Sequence, residues 1–133
     1  MRRLSLLVLV ACGSSRPVVI WAGARAGGEE RIEVRGNGQV EYTATNNGID
    51  EKPEAMSLMK TQVRELGDML RSQRACELGH DPAYTPEAEE GQTTLLISFP
   101  DQQCKVTLWN GEWLRGRARD IADTMRSMRL RPH

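Results

Sequence analysis

The chain has 133 residues, of which 39% are hydrophobic and 5% aromatic, and its 18 basic and 18 acidic side chains give a formal charge of zero. This length suits one domain with a short N-terminal extension. A neutral chain lacks the net positive field that nucleic-acid binding requires, so no nucleic-acid partner is expected. Charge is uneven, because residues 77–90 hold five acids and no Lys or Arg, whereas residues 112–131 hold six arginines. These segments are either differently charged solvated surfaces or a patch that steers a charged partner.

The N-terminus has the pattern of an export signal. Arg2 and Arg3 precede an eight-residue apolar segment, Leu4 to Ala11, whose only polar member is Ser5. A bilayer-spanning helix needs about 20 apolar residues, so this segment is too short to be one. Its length lies within the range of a cleaved signal peptide, and we assign residues 1–11 to that role.

The end of this segment, Leu9-Val10-Ala11-Cys12, resembles the lipobox of bacterial lipoproteins. In that family the cysteine thiol takes a diacylglycerol, the signal is removed before the cysteine, and the new amino group is acylated with a chain such as palmitate. The resemblance implies a lipid anchor at Cys12, and several acyl chains on one residue suffice for stable anchoring. Family members retained at the inner membrane tend to have Asp at the next position. Gly13 there implies sorting to the outer membrane, with the domain facing the periplasm.

Two other interpretations of the N-terminus remain open. Ala24-Arg25-Ala26 fits an ordinary signal-peptidase site, and cleavage after Ala26 would release a soluble exported protein. Alternatively, Leu4 to Val10 forms a buried first strand and Cys12 is a core thiol.

Lipidation of Cys12 would leave two cysteines, Cys76 and Cys104, with one possible pairing. Disulfides persist in exported proteins, and closing this loop would stabilise the domain by about 3 to 4 kcal/mol in the chain-entropy model. Two buried free thiols are the alternative. The absence of a Cys-x-x-Cys motif gives no support to a redox or zinc site.

We expect residues 12–30 to form the lipidated cysteine and a tether, and residues 31–131 to form a single domain. The tether carries four glycines, but its apolar piece Pro17 to Ala22 also suits an added strand or packing against the domain. Alternating apolar residues on both sides of Gly36-Asn37-Gly38 predict a β-hairpin within residues 31–45.

A helix is predicted from about Glu54 to Glu77, because apolar residues recur there at three- and four-residue spacing after Pro53. An acidic loop follows at residues 80–92. Residues 93–109 predict two strands, and Asn110-Gly111 predicts a tight hairpin into a short third strand. The last helix, about 117–130, has a predicted apolar face of Ile121, Ala122, Met125 and Met128.

This order, β-β-α-β-β-(β)-α, predicts an α+β fold, with an antiparallel sheet of four to five strands and two helices on one face. Cys104 shares the predicted inward face with Val106 and Leu108, and Cys76 lies on the apolar side of the first helix near its end. A disulfide between them would therefore fasten that helix to the sheet.

The sequence carries little recognisable chemistry. Its only histidines are His80, expected to cap a helix C-terminus, and His133, and no nucleophile-elbow, zinc, calcium or phosphate-loop motif occurs. We therefore expect no enzyme, metal or cofactor. Trp109, Trp113 and Arg115 have the composition of an interface and form the candidate interaction surface, although either tryptophan could instead pack on the last helix. The expected class is a binding or structural module with an envelope protein partner.

The domain also resembles emfourin, a small inhibitor of thermolysin-like metalloproteases. The likeness spans Arg31 to Leu130 and consists of the Gly36-Asn37-Gly38 hairpin turn, a helix, a strand pair containing Pro100-Asp101, and a closing helix. It implies protease inhibition as an alternative function. No inhibitory residue is carried over, and the cysteine pair and lipid anchor depart from the family pattern.

Overall fold

The computed structural model describes residues 15–129. Within that range an antiparallel sheet carries two helices on one face. Its elements are β1 (Pro17–Arg25), β2 (Gly28–Arg35), β3 (Gln39–Asn46), β4 (Ile49–Asp50), β5 (Glu54–Ser57), α1 (Lys60–Ser72), β6 (Gln92–Phe99), β7 (Gln102–Trp109) and α2 (Gly116–Arg129), with 3₁₀ turns at Ala75–Glu77 and Glu112–Leu114. The strands lie in the order β4-β3-β2-β1-β6-β7, and β5 pairs with β3.

The α+β class and the antiparallel sheet are confirmed, but the sheet has seven strands rather than four or five. The main difference is β1, which lies inside the sheet between β2 and β6. Residues 17–30 were assigned to the tether, and this is wrong: Pro17–Arg25 form β1, so the alternative of an added strand at Pro17 to Ala22 is the correct one. The physical reason is that alternate side chains of β1 enter the core: Val19 and Trp21 are fully buried on the helix side. The backbone N–H and C=O groups of β1 form hydrogen bonds with both neighbouring strands.

The predicted hairpin is confirmed as β2 and β3, joined by the Gly36–Gly38 turn. Gly38 has φ of +95°, and a Cβ there would approach the Leu58 carbonyl oxygen to 2.2 Å. This position therefore requires glycine. The inward faces of the two strands bury the predicted side chains, which are Ile32, Val34, Val40, Tyr42 and Ala44.

The predicted helix from Glu54 to Glu77 is wrong at both ends. Its first residues form β5, in which Met56 pairs with Val40 of β3. The helix then begins at Lys60, where the Gln62 side chain accepts a hydrogen bond from the Met59 backbone N–H at 2.8 Å. After the helix, Arg74 has φ of +51°, and this left-handed residue separates α1 from the 3₁₀ turn. Within α1 the apolar stripe is confirmed by buried Val63, Leu66 and Leu70.

The short third strand after Asn110-Gly111 does not form. That turn instead leads into the 3₁₀ turn Glu112–Leu114, because Trp113 enters the core rather than pairing along β7. The last helix is confirmed within one residue of its predicted bounds. Its predicted apolar face of Ile121, Ala122, Met125 and Met128 is buried.

Helix α1 runs across the strands at one end of the sheet. It starts next to the β2–β3 turn, where the Leu58 N–H donates to the Gly38 carbonyl. Farther along, the Gln102 side chain donates to the Gly67 carbonyl at 3.2 Å and places α1 beside the β6–β7 turn. Strand β1 begins at this same end, which we call the near end. The opposite end, with the β1–β2 and β3–β4 turns, is the far end.

Helix α2 lies on the far-end side of α1. The Arg117 Nε–H donates to the Gln73 carbonyl at 2.7 Å, and the Gln73 amide reaches Asp120 at 3.5 Å. Both helices therefore share one face of the sheet, and α1 lies nearer the start of β1.

Candidate interaction surface

Trp113 is not on the surface. Its side chain is fully buried, its indole N–H donates to the Thr93 carbonyl at 3.0 Å, and its ring meets Trp21 edge to face at 4.8 Å. Such a position supplies apolar burial and a satisfied hydrogen bond to the core. The expectation that Trp113 belongs to an interaction surface is therefore corrected, because the 3₁₀ turn directs it inward.

Asn110 holds the turn that follows β7 against the centre of the sheet. Its backbone N–H donates to the Gly91 carbonyl at 2.9 Å, and its side-chain amide donates to the Ala24 carbonyl at 2.8 Å. The Thr93 hydroxyl donates to the Asn110 side-chain oxygen at 2.7 Å. These three bonds link β1, β6 and the turn, so the Asn110-Gly111 pair serves packing rather than a hairpin.

Glu112 is a buried carboxylate that collects three hydrogen bonds. It accepts from the backbone N–H of Trp109 at 2.9 Å, from the backbone N–H of Asp81 at 2.7 Å, and from the His80 ring at 2.7 Å. A carboxylate only accepts, so Nδ1 of His80 carries the hydrogen. Burial alone would raise the pKa of Glu112, but the three donors outweigh burial and hold its pKa below the usual 4.5.

This arrangement corrects the expected role of His80, which binds Glu112 rather than a helix terminus. The His80 side chain remains half exposed, and its ring lies 6.2 Å from the Trp109 ring. All three donors to Glu112 come from the protein itself, so the carboxylate ties the loop after α1 to the end of β7. This is a structural use of a buried charge.

Two members of the predicted surface remain accessible. Trp109 is half-buried and continues the outward face of Lys105 and Thr107, on the side of the sheet away from the helices. Arg115 is exposed and lies over the Tyr84 ring, 5.1 Å from its centroid. Leu114, its neighbour in sequence, has 61% exposure. The accessible part of the surface is thus Trp109, Leu114 and Arg115.

The acidic loop is fastened to the same turn. The Tyr84 hydroxyl donates to the Glu90 carboxylate, with distances of 2.9 and 2.7 Å to its two oxygens, and the Gly111 N–H donates to Glu90 at 2.8 Å. The bond to Glu90 raises the pKa of Tyr84 to about 12, because the ionised phenol would face a carboxylate. These hydrogen bonds hold the loop in place, with its Tyr84 ring next to Arg115.

A cleft at the far end has a volume of about 730 Å³. Alanines and a glycine of β1 form part of it, and carboxylates surround it. Arg25 pairs with Glu51, one of the residues that line the cleft, and also donates a hydrogen bond to the Tyr42 hydroxyl. The acidic members of its lining are Glu29, Glu30, Asp50 and Glu51. Arg31 also lines the cleft, but the four carboxylates outnumber it and give the cleft a net negative charge that is complementary to a basic partner.

The predicted disulfide is confirmed. Cys76 and Cys104 are joined, with their Cα atoms 5.6 Å apart, within the usual range. The bridge connects the 3₁₀ turn after α1 to β7, so Cys76 lies beyond the helix and is exposed, rather than on the apolar side of the helix as predicted. Cys12 and its lipobox lie outside the described residues.

Within residues 15–129, no group of three or more His, Cys, Asp or Glu side chains is placed to hold a metal ion. In the same part of the chain no helix is long and apolar enough to cross a membrane. No protein-family model and no curated protein matches the sequence.

Proposed function

We propose that this protein is a membrane-anchored lipoprotein of the bacterial envelope, acylated at Cys12, whose domain acts as a binding or structural module in the periplasm. The observation that carries the proposal is the Cys76–Cys104 disulfide. A bridge of this kind persists in oxidising compartments outside the cytosol, which agrees with the export signal and lipobox pattern at the N-terminus.

The position of β1 is compatible with an anchor at Cys12. Four residues separate Cys12 from Pro17, where the central strand begins. A lipid anchor at this point would hold a folded domain close to the bilayer, while the anchor itself needs no membrane-spanning helix. The partners we propose are the lipid bilayer, through Cys12, and an envelope protein.

The use of polar side chains favours binding over catalysis. Glu112 and Asn110 hold the end of β7 in place through internal hydrogen bonds. The accessible groups around that turn, Trp109, Leu114 and Arg115, combine aromatic, apolar and cationic surface, which is typical of interface residues. We propose this surface and the acidic far-end cleft as the places where an envelope partner binds.

Intact-mass analysis of the protein purified from native membranes tests the proposal. We expect a chain that begins at Cys12 and carries acyl groups, and a gain of two hydrogens on reduction of the disulfide. The matched control is Cys12→Ala, which should keep the disulfide but carry no acyl groups. A chain that begins at Gly27, or an unprocessed chain without acyl groups, would contradict the anchor.

Metalloprotease inhibition is the second candidate. Its support is the resemblance to emfourin, in which hairpin, helix, strand pair and closing helix correspond to β2, β3, α1, β6, β7 and α2, whereas β1, β4 and β5 lie outside that order. Titration of a thermolysin-like protease with the domain tests it. Stoichiometric loss of protease activity would support inhibition, and full activity at saturating domain would remove this candidate.

A further inference from the structure

Strand β1 is apolar on both of its faces. Its inward side chains enter the core, and Ile20, Ala22 and Ala24 alternate with them on the side of the sheet away from the helices, which we call the outer face. Leu96 of β6 lies beside Ile20 on this face, and all four side chains are half-buried. Strands that are apolar on both faces are typical of sheets that are covered on both sides, since a solvated face usually carries polar residues. The centre of the outer face therefore has the composition of a covered surface.

The charges of the outer face are arranged unequally about β1. This strand lies in the middle of five long strands, in the order β3-β2-β1-β6-β7. Strand pairing aligns one residue of each strand in a row across the face. In strand order, the row through the middle of β1 consists of Glu41, Glu33, Ile20, Leu96 and Lys105. The row is therefore acidic toward β3, apolar at its centre and basic at β7.

The two ends of this row carry accessible charge. Lys105 is exposed, and no ion pair within residues 15–129 engages it. The Glu41 side chain is 52% exposed and approaches Arg35 only at 4.0 Å. Glu33, by contrast, is 12% exposed and pairs with both Arg31 and Arg35. An acceptor for a positive charge thus lies at β3, and an unpaired positive charge lies at β7.

A two-fold rotation about an axis along β1 matches these two ends. If a second copy is placed face to face in this way, β3 of each copy lies over β7 of the other. Lys105 of each copy then lies over Glu41 of the other, and Ile20 lies over the same residue of the second copy. Aligned sheets pack about 10 Å apart with their strands within about 30° of each other, a separation that a lysine and a glutamate side chain span together.

The same rotation sets a protruding ring over a cleft. Trp109 lies four residues beyond Lys105 on β7, and Thr45 lies four residues beyond Glu41 on β3, both toward the far end. Thr45 lines the far-end cleft together with alanines of β1. The half-buried Trp109 ring of each copy would therefore lie over the far-end cleft of the other, where small side chains leave room for it.

The size of the outer face suits a specific interface. Four of its strands have eight residues and β1 has nine. Five strands of this length, about 4.8 Å apart, form a face of roughly 24 by 26 Å, or about 600 Å² in flat projection. Side-chain relief adds to this value, so the face approaches the roughly 800 Å² that each partner buries in a standard interface.

The direction of the axis is compatible with two lipid anchors. Because the axis runs along β1, this strand begins at the same end in both copies, and both near ends point in one direction. The segments that lead back to Cys12 therefore leave toward the same side, so two anchored copies can associate within one leaflet.

We propose that the outer face is the interface of a homodimer, in which two copies pack sheet to sheet about an axis along β1 and Lys105 of each copy pairs with Glu41 of the other. This inference deepens the proposed function by naming a second copy as the partner of Trp109 and the far-end cleft. It rests on that function in one respect: removal of residues 1–11 leaves the apolar face to a second copy rather than to the apolar segment Leu4 to Ala11.

A charge swap tests this interface. Two differently tagged forms of the full chain are produced in the same cells, extracted in excess detergent and captured through one tag. Lys105→Glu places like charges at both contacts of a homodimer, and Glu41→Lys does the same. Each variant should therefore capture at least about tenfold less of its own kind than the parent chain does. A Lys105→Glu chain and a Glu41→Lys chain together restore both contacts between opposite charges, so they should capture each other as the parent does.

Lys60→Glu is the matched control. It makes the same change at an exposed lysine of α1, on the helix side of the sheet, and should leave capture unchanged. Equal capture in every combination would overturn the proposal, because micelles shared by lipid anchors do not depend on these charges. A parent chain that captures no second copy would also overturn it, as would a loss of capture that the mixed variants do not restore.

The failure of this inference is distinguishable from failure of the anchor. An intact mass without acyl groups, together with the expected charge-swap pattern, would contradict the anchor and retain the homodimer. An acylated chain that begins at Cys12 and captures no second copy would retain the anchor and reject the homodimer. An unprocessed chain that captures no second copy would contradict both, and would leave Leu4 to Ala11 as the segment that covers the outer face.

Discussion

Trp21 and Trp113 meet edge to face at the centre of the core, with ring centroids 4.8 Å apart and planes inclined by 67°. Trp21 comes from the middle of β1 and Trp113 from the 3₁₀ turn before α2, and neither side chain has any exposed surface. The contact therefore joins two segments that are 92 residues apart in the chain. Because edge-to-face aromatic pairs add to the stabilisation from burial alone, this pair fastens the central strand beneath α2.

The two tryptophans around the Asn110 turn should differ sharply in their contribution to stability. Trp113→Ala removes a fully buried ring and its hydrogen bond to Thr93, so the free energy of unfolding should fall by about 3 to 5 kcal/mol. Trp109→Ala removes a half-buried outward side chain and should cost roughly 1 kcal/mol or less. Urea unfolding with the disulfide intact measures both. Equal losses would contradict the placement of Trp113 in the core and Trp109 at the surface.

The Cys76–Cys104 bridge should contribute through the entropy of the unfolded chain. Its sequence separation is 28, and replacing both cysteines by serine should lower the free energy of unfolding by about 3 to 4 kcal/mol in the chain-entropy model. Cys12→Ser is the control, since it removes a thiol that closes no loop and should leave the unfolding of the domain unchanged. If the double variant unfolds at the same urea concentration as the parent, the bridge has no stabilising role.

Local sequence patterns correctly predicted most of the elements whose partners are close by in the chain. The β2–β3 hairpin, the apolar faces of both helices and the cysteine pairing all depend on short-range periodicity or on a simple count. Strand β1 required a different kind of information. Its residues Val19 and Trp21 alternate correctly, but its pairing with β6 joins residues about 75 positions apart, and only tertiary packing distinguishes such a strand from an apolar tether.

The candidate surface was predictable only where it follows a local strand pattern. Trp109 follows the alternation of β7 and lies outward, as the pattern indicates. Trp113 does not, because the chain leaves the strand at Asn110 and enters a 3₁₀ turn. One local signal was available: Glu112 stands three residues after Trp109, the spacing at which a carboxylate can accept a backbone N–H and close a turn. The second and third donors to Glu112 come from the loop after α1, which no local pattern reveals.

Glu112 should make the stability of the domain sensitive to acid. Its folded-state pKa is held below the unfolded value near 4.5, so its stabilisation is complete above about pH 4.5 and is lost as the pH falls through the folded-state pKa. Glu112→Gln should lower the free energy of unfolding at neutral pH by about 1 to 3 kcal/mol, because backbone donors lose a charged acceptor. It should also flatten the dependence of stability on pH below 4.5.

Unfolding by urea at a series of pH values measures both effects. The matched control is Glu65→Gln, which neutralises an exposed carboxylate on α1 and should change the free energy of unfolding at neutral pH little. An unaltered acid dependence in Glu112→Gln would show that the buried carboxylate has no part in it.

Gly23 tests how closely the two central strands approach. It lies in β1 opposite Thr93 of β6, and a Cβ at this position would come within 2.0 Å of the Thr93 hydroxyl oxygen and 2.6 Å of its Cα. The second contact involves backbone, so the strands themselves must separate, and the Thr93 bond to Asn110 would be disturbed. We expect Gly23→Ala to lower the free energy of unfolding by about 3 kcal/mol, at the upper end of ordinary overpacking costs.

Gly79→Ala is the matched comparison for this substitution. A Cβ at Gly79 meets nothing within 4 Å, and its φ lies outside the left-handed range, so the added methyl mainly restricts the unfolded chain. Its effect should be neutral or stabilising by up to about 1 kcal/mol. Urea unfolding of both variants, with the disulfide intact, separates local crowding from the general effect of replacing glycine. If Gly23→Ala were as stable as Gly79→Ala, β1 and β6 would not be packed as closely as the structure has them, and the central position of β1 would be in question.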